Sequence, residues 1–295
     1  MENFVITTEN AADLPESFIK ENEIGVLSLY YTIDGVTYGP DHEEEMPAKT
    51  FYQQMRNGSM PKTQQVNPDQ AIRRFREILK QGKDILHVTL SSGISGSINS
   101  AMVAKQTLAE EFPDRKIYVV DSLGASSGYG LLMDRVADMR DSGMSLDDLA
   151  KWTEDNRLHL HHWFFSTDLT FYIKGGRVSK TAGFVGSVLN ICPLLNMDNL
   201  GRLIPRYKIR TKKKVIKTIV DKMEEHAQDG LNYSGKCYIS QSACYEDAKE
   251  VAELVEKRFP KLNGRVEIND IGTTIGSHTG PGTVALFFWG DERVD

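Results

Sequence analysis

The run Asp84–Leu90 (DILHVTL) is apolar and β-branched, and it passes through SSGISGS into the helix-like segment Asn99–Phe112. A strand, a Ser/Gly loop and a helix in that order confine the chain to an α/β architecture, with the loop at a strand's carboxyl end. The same unit makes an anion site: hydroxyls donate, glycines admit backbone N–H groups, and the helix N-terminus is electropositive.

The rest of the first half repeats the rhythm. Phe4–Thr7 reads as a strand, and Asp13 with Pro15 opens a helix ending near Glu21. Asn67, Pro68 and Gln70 resemble a capped helix start running through Arg73, Phe75, Ile78 and Leu79. Ile117–Val120 reads as a strand, and a helix spans about Ser126 to Arg140. Val26–Thr32 and Val36–Gly39 flank Asp34-Gly35, a hairpin signal. Alternating strands and helices predict a Rossmann-like parallel sheet with right-handed crossovers.

Beyond a capped helix from Ser145 to about Leu158 the character changes to α+β. His161–Thr167 reads as an aromatic strand, followed by the loop KGGRVSKT and the apolar stretch Phe184–Leu195. A hairpin-like segment surrounds Asn199-Leu200-Gly201. Helices are expected over Lys213–His226 and Tyr245–Phe259, with strands at Lys236–Ser240, Val266–Ile271 and Val284–Trp289. The expected division is 1–160, a Rossmann-like domain with a β-hairpin extension near 26–39, and 161–295, an α+β domain.

At 295 residues, 40% hydrophobic and 26% charged, the chain can bury a substantial core. A net charge of -6 argues against a basic nucleic-acid-binding face. No apolar run is long enough to cross a bilayer, and MENFVITTEN lacks the basic and apolar regions of a signal peptide. Cys192, Cys237 and Cys244 are odd in number and lack zinc-ligand spacing, so a reducing cytoplasm is expected.

Three segments carry candidate chemistry. Thr7-Thr8, Ser91-Ser92 and Asp121-Ser122 end strands of the first half, and with Thr63 they would gather neutral donors around the Ser95 loop. Any one of them is also an ordinary turn or helix cap. IGTTIGSHTGPGTVALFF, from Ile271, packs four glycines around His278 and reads as a tightly bent loop presenting that histidine. Lys174 and Arg177 flank Gly175-Gly176, a clamp for a carboxylate or phosphate, or else a solvated turn.

Other signals are weaker. Ser97 stands where a nucleophile elbow needs glycine, and Ser95, Asp121 and His278 share only chain order with a hydrolase triad. His159, His161 and His162 have no nearby carboxylate or cysteine in sequence to complete a metal site. No phosphate-loop or dinucleotide fingerprint is present, so ATP or NAD binding by this chain alone is unsupported. Arg206–Lys214 is basic, a solvated helix entrance or a docking surface for an anionic partner. Phe184–Leu195 exceeds the needs of one helix face, and serves either as core or as the lining of a tunnel.

These residues resemble the DegV family. SSGISGSINSA is similar to its serine loop, IGTTIGSHTGPG to its histidine loop and KGGRVSK to its GGR segment, and Thr63 falls where its TSQP motif supplies a threonine. The resemblance covers essentially the whole chain. It implies a non-catalytic lipid carrier that holds one long-chain fatty acid, such as palmitate, in an interdomain tunnel. Thr63 and Ser95 would bind the carboxylate, with His278 and Arg177 at the mouth. Gly96, Ser122 and Thr279 complete the expected ligand-binding set, with no metal and no cofactor.

The resemblance further implies presentation of the fatty acid to a separate ATP-binding kinase subunit, forming an acyl phosphate, with transient membrane-surface contact and no nucleic acid. The alternative is a serine esterase or acyl transferase using Ser95 and His278. Another lipid or apolar acid is a third reading. The chain departs from the family pattern at Gln64, Val66 and Cys192, and in TTEN, where Glu9 and Asn10 take changed roles.

Overall fold

The computed structural model describes residues 3–39, 42–179 and 191–295. The chain begins with β1 (Phe4–Glu9), α1 (Glu16–Glu21), β2 (Gly25–Leu27), β3 (Tyr30–Ile33) and β4 (Val36–Tyr38). It continues through α2 (Ala48–Arg56), β5 (Lys62–Gln64), α3 (Pro68–Leu79), β6 (Asp84–Thr89), α4 (Ser97–Glu111) and β7 (Ile117–Asp121). The helices α5 (Ser127–Asp141) and α6 (Leu146–Asn156) follow.

Local chemistry explains most of these bounds. The Asn67 side chain accepts the Gln70 N–H at 2.8 Å, and Pro68 opens α3 without wasting a donor. Ser145 accepts the Asp148 N–H at the start of α6. Asp34 and Gly35 both take positive φ, 50° and 84°, as a tight two-residue hairpin turn requires. That hairpin is β3–β4. The run Val26–Thr32 is divided: β2 joins the large sheet, and β3 forms a separate three-stranded sheet of order β4-β3-β5.

The large first sheet is parallel, in order β2-β1-β6-β7. The chain leaves β1 toward one edge and later returns to its other side at β6. Strand order therefore reverses between β1 and β6, the point at which parallel sheets open a crevice. Glu9 ties the two strand ends together by accepting the Leu90 N–H at 2.9 Å. Asn10 holds the next loop, exchanging amide bonds with the Leu29 backbone at 3.0 and 3.4 Å.

The second half comprises β8 (Leu160–Ser166), α7 (Thr170–Lys174), β9 (Ile191–Met197), β10 (Leu203–Arg210) and α8 (Lys212–His226). It ends with β11 (Tyr238–Gln241), α9 (Tyr245–Arg258), β12 (Glu267–Asp270), α10 (Thr273–Thr279) and β13 (Thr283–Trp289). Its six-stranded sheet has the order β10-β9-β8-β13-β11-β12 and is antiparallel except for β11–β12. The expected apolar stretch Phe184–Leu195 is seen only from Ile191, as β9; the remainder lies outside the described residues.

Strand alternation sorts this sheet's two faces. Trp163 and Phe165 of β8, with Val284, Leu286 and Phe288 of β13, pack under α8 and α9. Phe164, Ala285 and Phe287 face the other way, in one apolar cluster with Ile6, Phe75 and Leu86 of the first half. Helix α5 lies between the two large sheets, packed on β8, β11 and β13 and buried through most of its length. The buried Arg293 closes the assembly, donating to the carbonyls of Leu123, Met197 and Asp198.

Candidate functional site

A cavity of about 210 Å³ lies where the β1–β6 crevice meets the inner face of the second sheet. Leu90, Ile94, Ser95 and Gly96, following β6, form one wall. Phe164, Ala285 and Phe287 form the opposite wall, and Thr63 of β5 and Gln65 just beyond it bound it from the side of the small sheet. Helix α10 completes it with Thr274, Ile275 and His278, spaced to share one helix face.

That helix corrects an expectation. The Ile271–Gly282 segment was expected as a bent loop because of its glycines, yet Thr273–Thr279 is helical. Gly276 is there for close approach: a Cβ would sit 2.4 Å from the Tyr52 hydroxyl, which donates to the Ile271 carbonyl at 2.6 Å. Thr63 also has an unexpected setting. It belongs to β5, opposite Tyr31 of β3, rather than to a carboxyl end of the parallel sheet.

Thr63 and His278, 215 positions apart, meet at 2.7 Å between Oγ1 and Nε2. Burial, reinforced by the Arg177 charge, pushes the imidazole down to about 4, so His278 is neutral at neutral pH. Gly175, which follows α7, packs against the ring: a Cβ there would lie 2.4 Å from Nδ1. Arg177 donates to the carbonyls of Gly175 (2.6 Å) and Ile94 (3.3 Å), anchoring its guanidinium beside the serine loop. Burial lowers its pKa.

The loop itself is tightly bonded. Ile94 and Ser95 both donate N–H groups to the Ser91 carbonyl, at 3.2 and 3.1 Å. The Ser95 hydroxyl accepts the Ser97 N–H and meets the Ser97 hydroxyl, both at 3.2 Å. Gly96 precedes α4, which has no side-chain N-cap bond there. A Cβ on Gly96 would lie 2.3 Å from Gln65 Oε1, so glycine lets Gln65 cover the loop.

Thr63, Ser95, Gly96, Arg177, His278 and Thr279 thus all line one cavity. Ser122 is not among its lining residues. Its hydroxyl bonds the Gly124 N–H and its own N–H donates to Thr89, which is turn chemistry. The other strand-end hydroxyls are similarly engaged: Thr8 with the Val88 carbonyl, and Ser91 with that of Gly201. Asp121 accepts the Ser92 and Leu123 N–H groups. With Ser95 on Ser97 and His278 on Thr63, no nucleophile–base–carboxylate relay forms among the described residues.

Sequence proximity missed several neighbours. Tyr172 and Thr283 line the cavity and bond each other at 3.0 Å. His162 also lines it, neutral because burial holds its pKa well below the usual value. Away from the cavity, His161 meets a carboxylate remote in sequence, Asp291, at 2.8 Å, and His226 stands 3.2 Å from the same oxygen. His161 Nε2 also faces the Asp291 carbonyl at 2.9 Å, so it acts there as a proton donor. Of the family departures, Val66 and Cys192 are buried.

Two helix-packed sheets around a mainly apolar cavity with a few polar groups define an α/β protein built on an internal pocket. Among the described residues, no helix is long and apolar enough to cross a membrane.

The chain belongs to the DegV family: the family model, described as "Uncharacterised protein, DegV family", matches residues 3–291. It is 38% identical to a DegV domain-containing protein of Clostridium perfringens, over 99% of both chains. It is 31% identical to a protein of Thermotoga maritima named as a fatty acid-binding protein, over 95% of this chain and 96% of that one. The solved structure of a DegV family protein from Thermus thermophilus, described by its fatty acid binding, superposes with a TM-score of 0.86 at 27% identity. It covers 98% of this chain and 99% of its own.

Proposed function

We propose that this protein carries one long-chain fatty acid, its tail in the cavity and its carboxylate against Thr63 and Ser95, and presents it to a separate ATP-binding kinase subunit. The observation that carries the reading is the neutral Thr63–His278 pair, bonded at 2.7 Å in a mainly apolar cavity that Ser95 also lines. A carboxylate leaving water needs its lone pairs satisfied, and hydroxyl donors do this without a buried fixed charge. Arg177 supplies a nearby positive charge. The named binding activity of the Thermotoga and Thermus relatives supports the same assignment.

The driving force belongs to the tail. About sixteen carbons at roughly 0.8 kcal/mol per methylene give on the order of 10 kcal/mol before association costs. The head group sets orientation, holding the reactive oxygens at the mouth where a kinase subunit would reach them.

Titration of the delipidated protein with palmitate and oleate tests the binding step. Ser95→Ala is expected to weaken binding by roughly 1–3 kcal/mol, because a carboxylate oxygen loses its donor. An unchanged affinity would remove Ser95 from the site. For presentation, acyl phosphate should form from ATP only when the loaded carrier and an ATP-binding subunit are combined. Its formation by either alone would overturn the division of labour.

A further inference from the structure

Thr274 carries a hydroxyl that no described residue satisfies. The residue is 4% exposed, lines the cavity and sits one turn before His278 on α10. Its Oγ1 is buried and has no hydrogen-bond partner among the described residues.

Most other polar groups on the same walls are engaged; the exception is His278 Nδ1, buried against Gly175 on the ring edge away from Thr63. The His162 ring lies 3.3 Å from the Ala125 N–H and 3.1 Å from the Leu160 carbonyl. Tyr172 meets Thr283, and Ser126 meets Asp13 and Ser240. Valine would fill the space of Thr274 without burying an idle hydroxyl, which is penalised when unpaired. The partner therefore comes from the cavity's occupant. Residues four apart on a helix hold their Cβ atoms about 5–6 Å from each other. The Thr274 hydroxyl thus addresses a point a few carbons beyond a carboxylate held near His278.

We infer that the ligand class this cavity favours is a long-chain fatty acid with a hydroxyl close to its carboxyl group, the Thr274 hydroxyl bonding that oxygen. The inference rests on the carrier reading above. Its test is the affinity of delipidated wild-type, Thr274→Val and Thr274→Ser protein for palmitate, 3-hydroxypalmitate and 12-hydroxystearate.

Wild type should bind 3-hydroxypalmitate roughly tenfold tighter than palmitate, as one neutral hydrogen bond allows. Thr274→Val should erase that preference, bringing its affinities for the two acids together, and Thr274→Ser should retain it. The distal 12-hydroxyl should bring no gain. Palmitate binding with no 3-hydroxyl preference, or a preference that survives Thr274→Val, would overturn this inference and leave the carrier reading standing. Failure of all three acids to bind would overturn both.

Discussion

Ala285→Phe is expected to cost at least about 100-fold in palmitate affinity, roughly 3 kcal/mol, while the protein stays folded. Ala285 lies on β13, between β8 and β11, opposite Phe164 on one side and Ser240 on the other. Its side chain shares the face that lines the cavity, whereas Val284 and Leu286 face α8 and α9. A phenyl ring there can extend only into the space assigned to the acyl chain. Filling an apolar void within a stiff sheet perturbs stability little, so the thermal midpoint should move by only a few degrees. Calorimetric titration beside a melting curve separates the effects. Unchanged affinity in a folded variant would mean that the tail does not run past β13.

The second large effect is on stability. Glu9 is 1% exposed, and burial pushes its carboxyl from an ordinary 4.5 up to about 8, although Leu90 donates to it. Between those values the folded protein keeps a proton that the unfolded chain has released. The associated stability is therefore complete below pH 4.5 and is lost as pH rises toward 8. Glutamine keeps an oxygen for the Leu90 N–H and abolishes the titration. Glu9→Gln should accordingly raise stability at pH 8 by on the order of a few kcal/mol, and the gain should vanish near pH 4.5.

His87 works in the opposite direction. Burial pushes it from 6.5 down to about 3, so stability falls as pH drops through that window in wild type and variant alike. Denaturant unfolding across pH checks the sign. An equal gap between wild type and Glu9→Gln at both ends would refute the buried-proton explanation.

Features whose causes are local were legible in the sequence. The Asn67 and Ser145 caps, the Asp34-Gly35 turn and the strand–loop–helix around Ser95 each follow from a few adjacent residues. What escaped was set by distance along the chain. Thr63 reaches the cavity because β5 pairs with β3, a short register that no composition signal announces. Helix α10 escaped because Gly276 answers to Tyr52, remote in sequence, and so looked like a turn residue beside Gly280, which does turn the chain with φ 70°. Once the segment is helical, Thr274 and His278 share a face; read as a loop, it hid that relation. Ser122 lies outside the cavity lining for the converse reason, since its polar neighbours are its own turn.

The chain therefore sets a fixed polar cluster beside a two-sided apolar box. Glu9 and Asn10 join the ends of the crevice, while α5 and Arg293 hold the second sheet against it. Rigidity on both sides lets four segments far apart in sequence present Thr63, Ser95, Arg177 and His278 together.

The most direct test is native mass spectrometry of the purified protein before and after organic extraction. The expected spectrum shows the added mass of a single long-chain fatty acid, hydroxylated or plain, which extraction removes and added palmitate restores at equal stoichiometry. Protein that is reproducibly empty, and that takes up neither palmitate nor oleate, would contradict the fatty acid carrier.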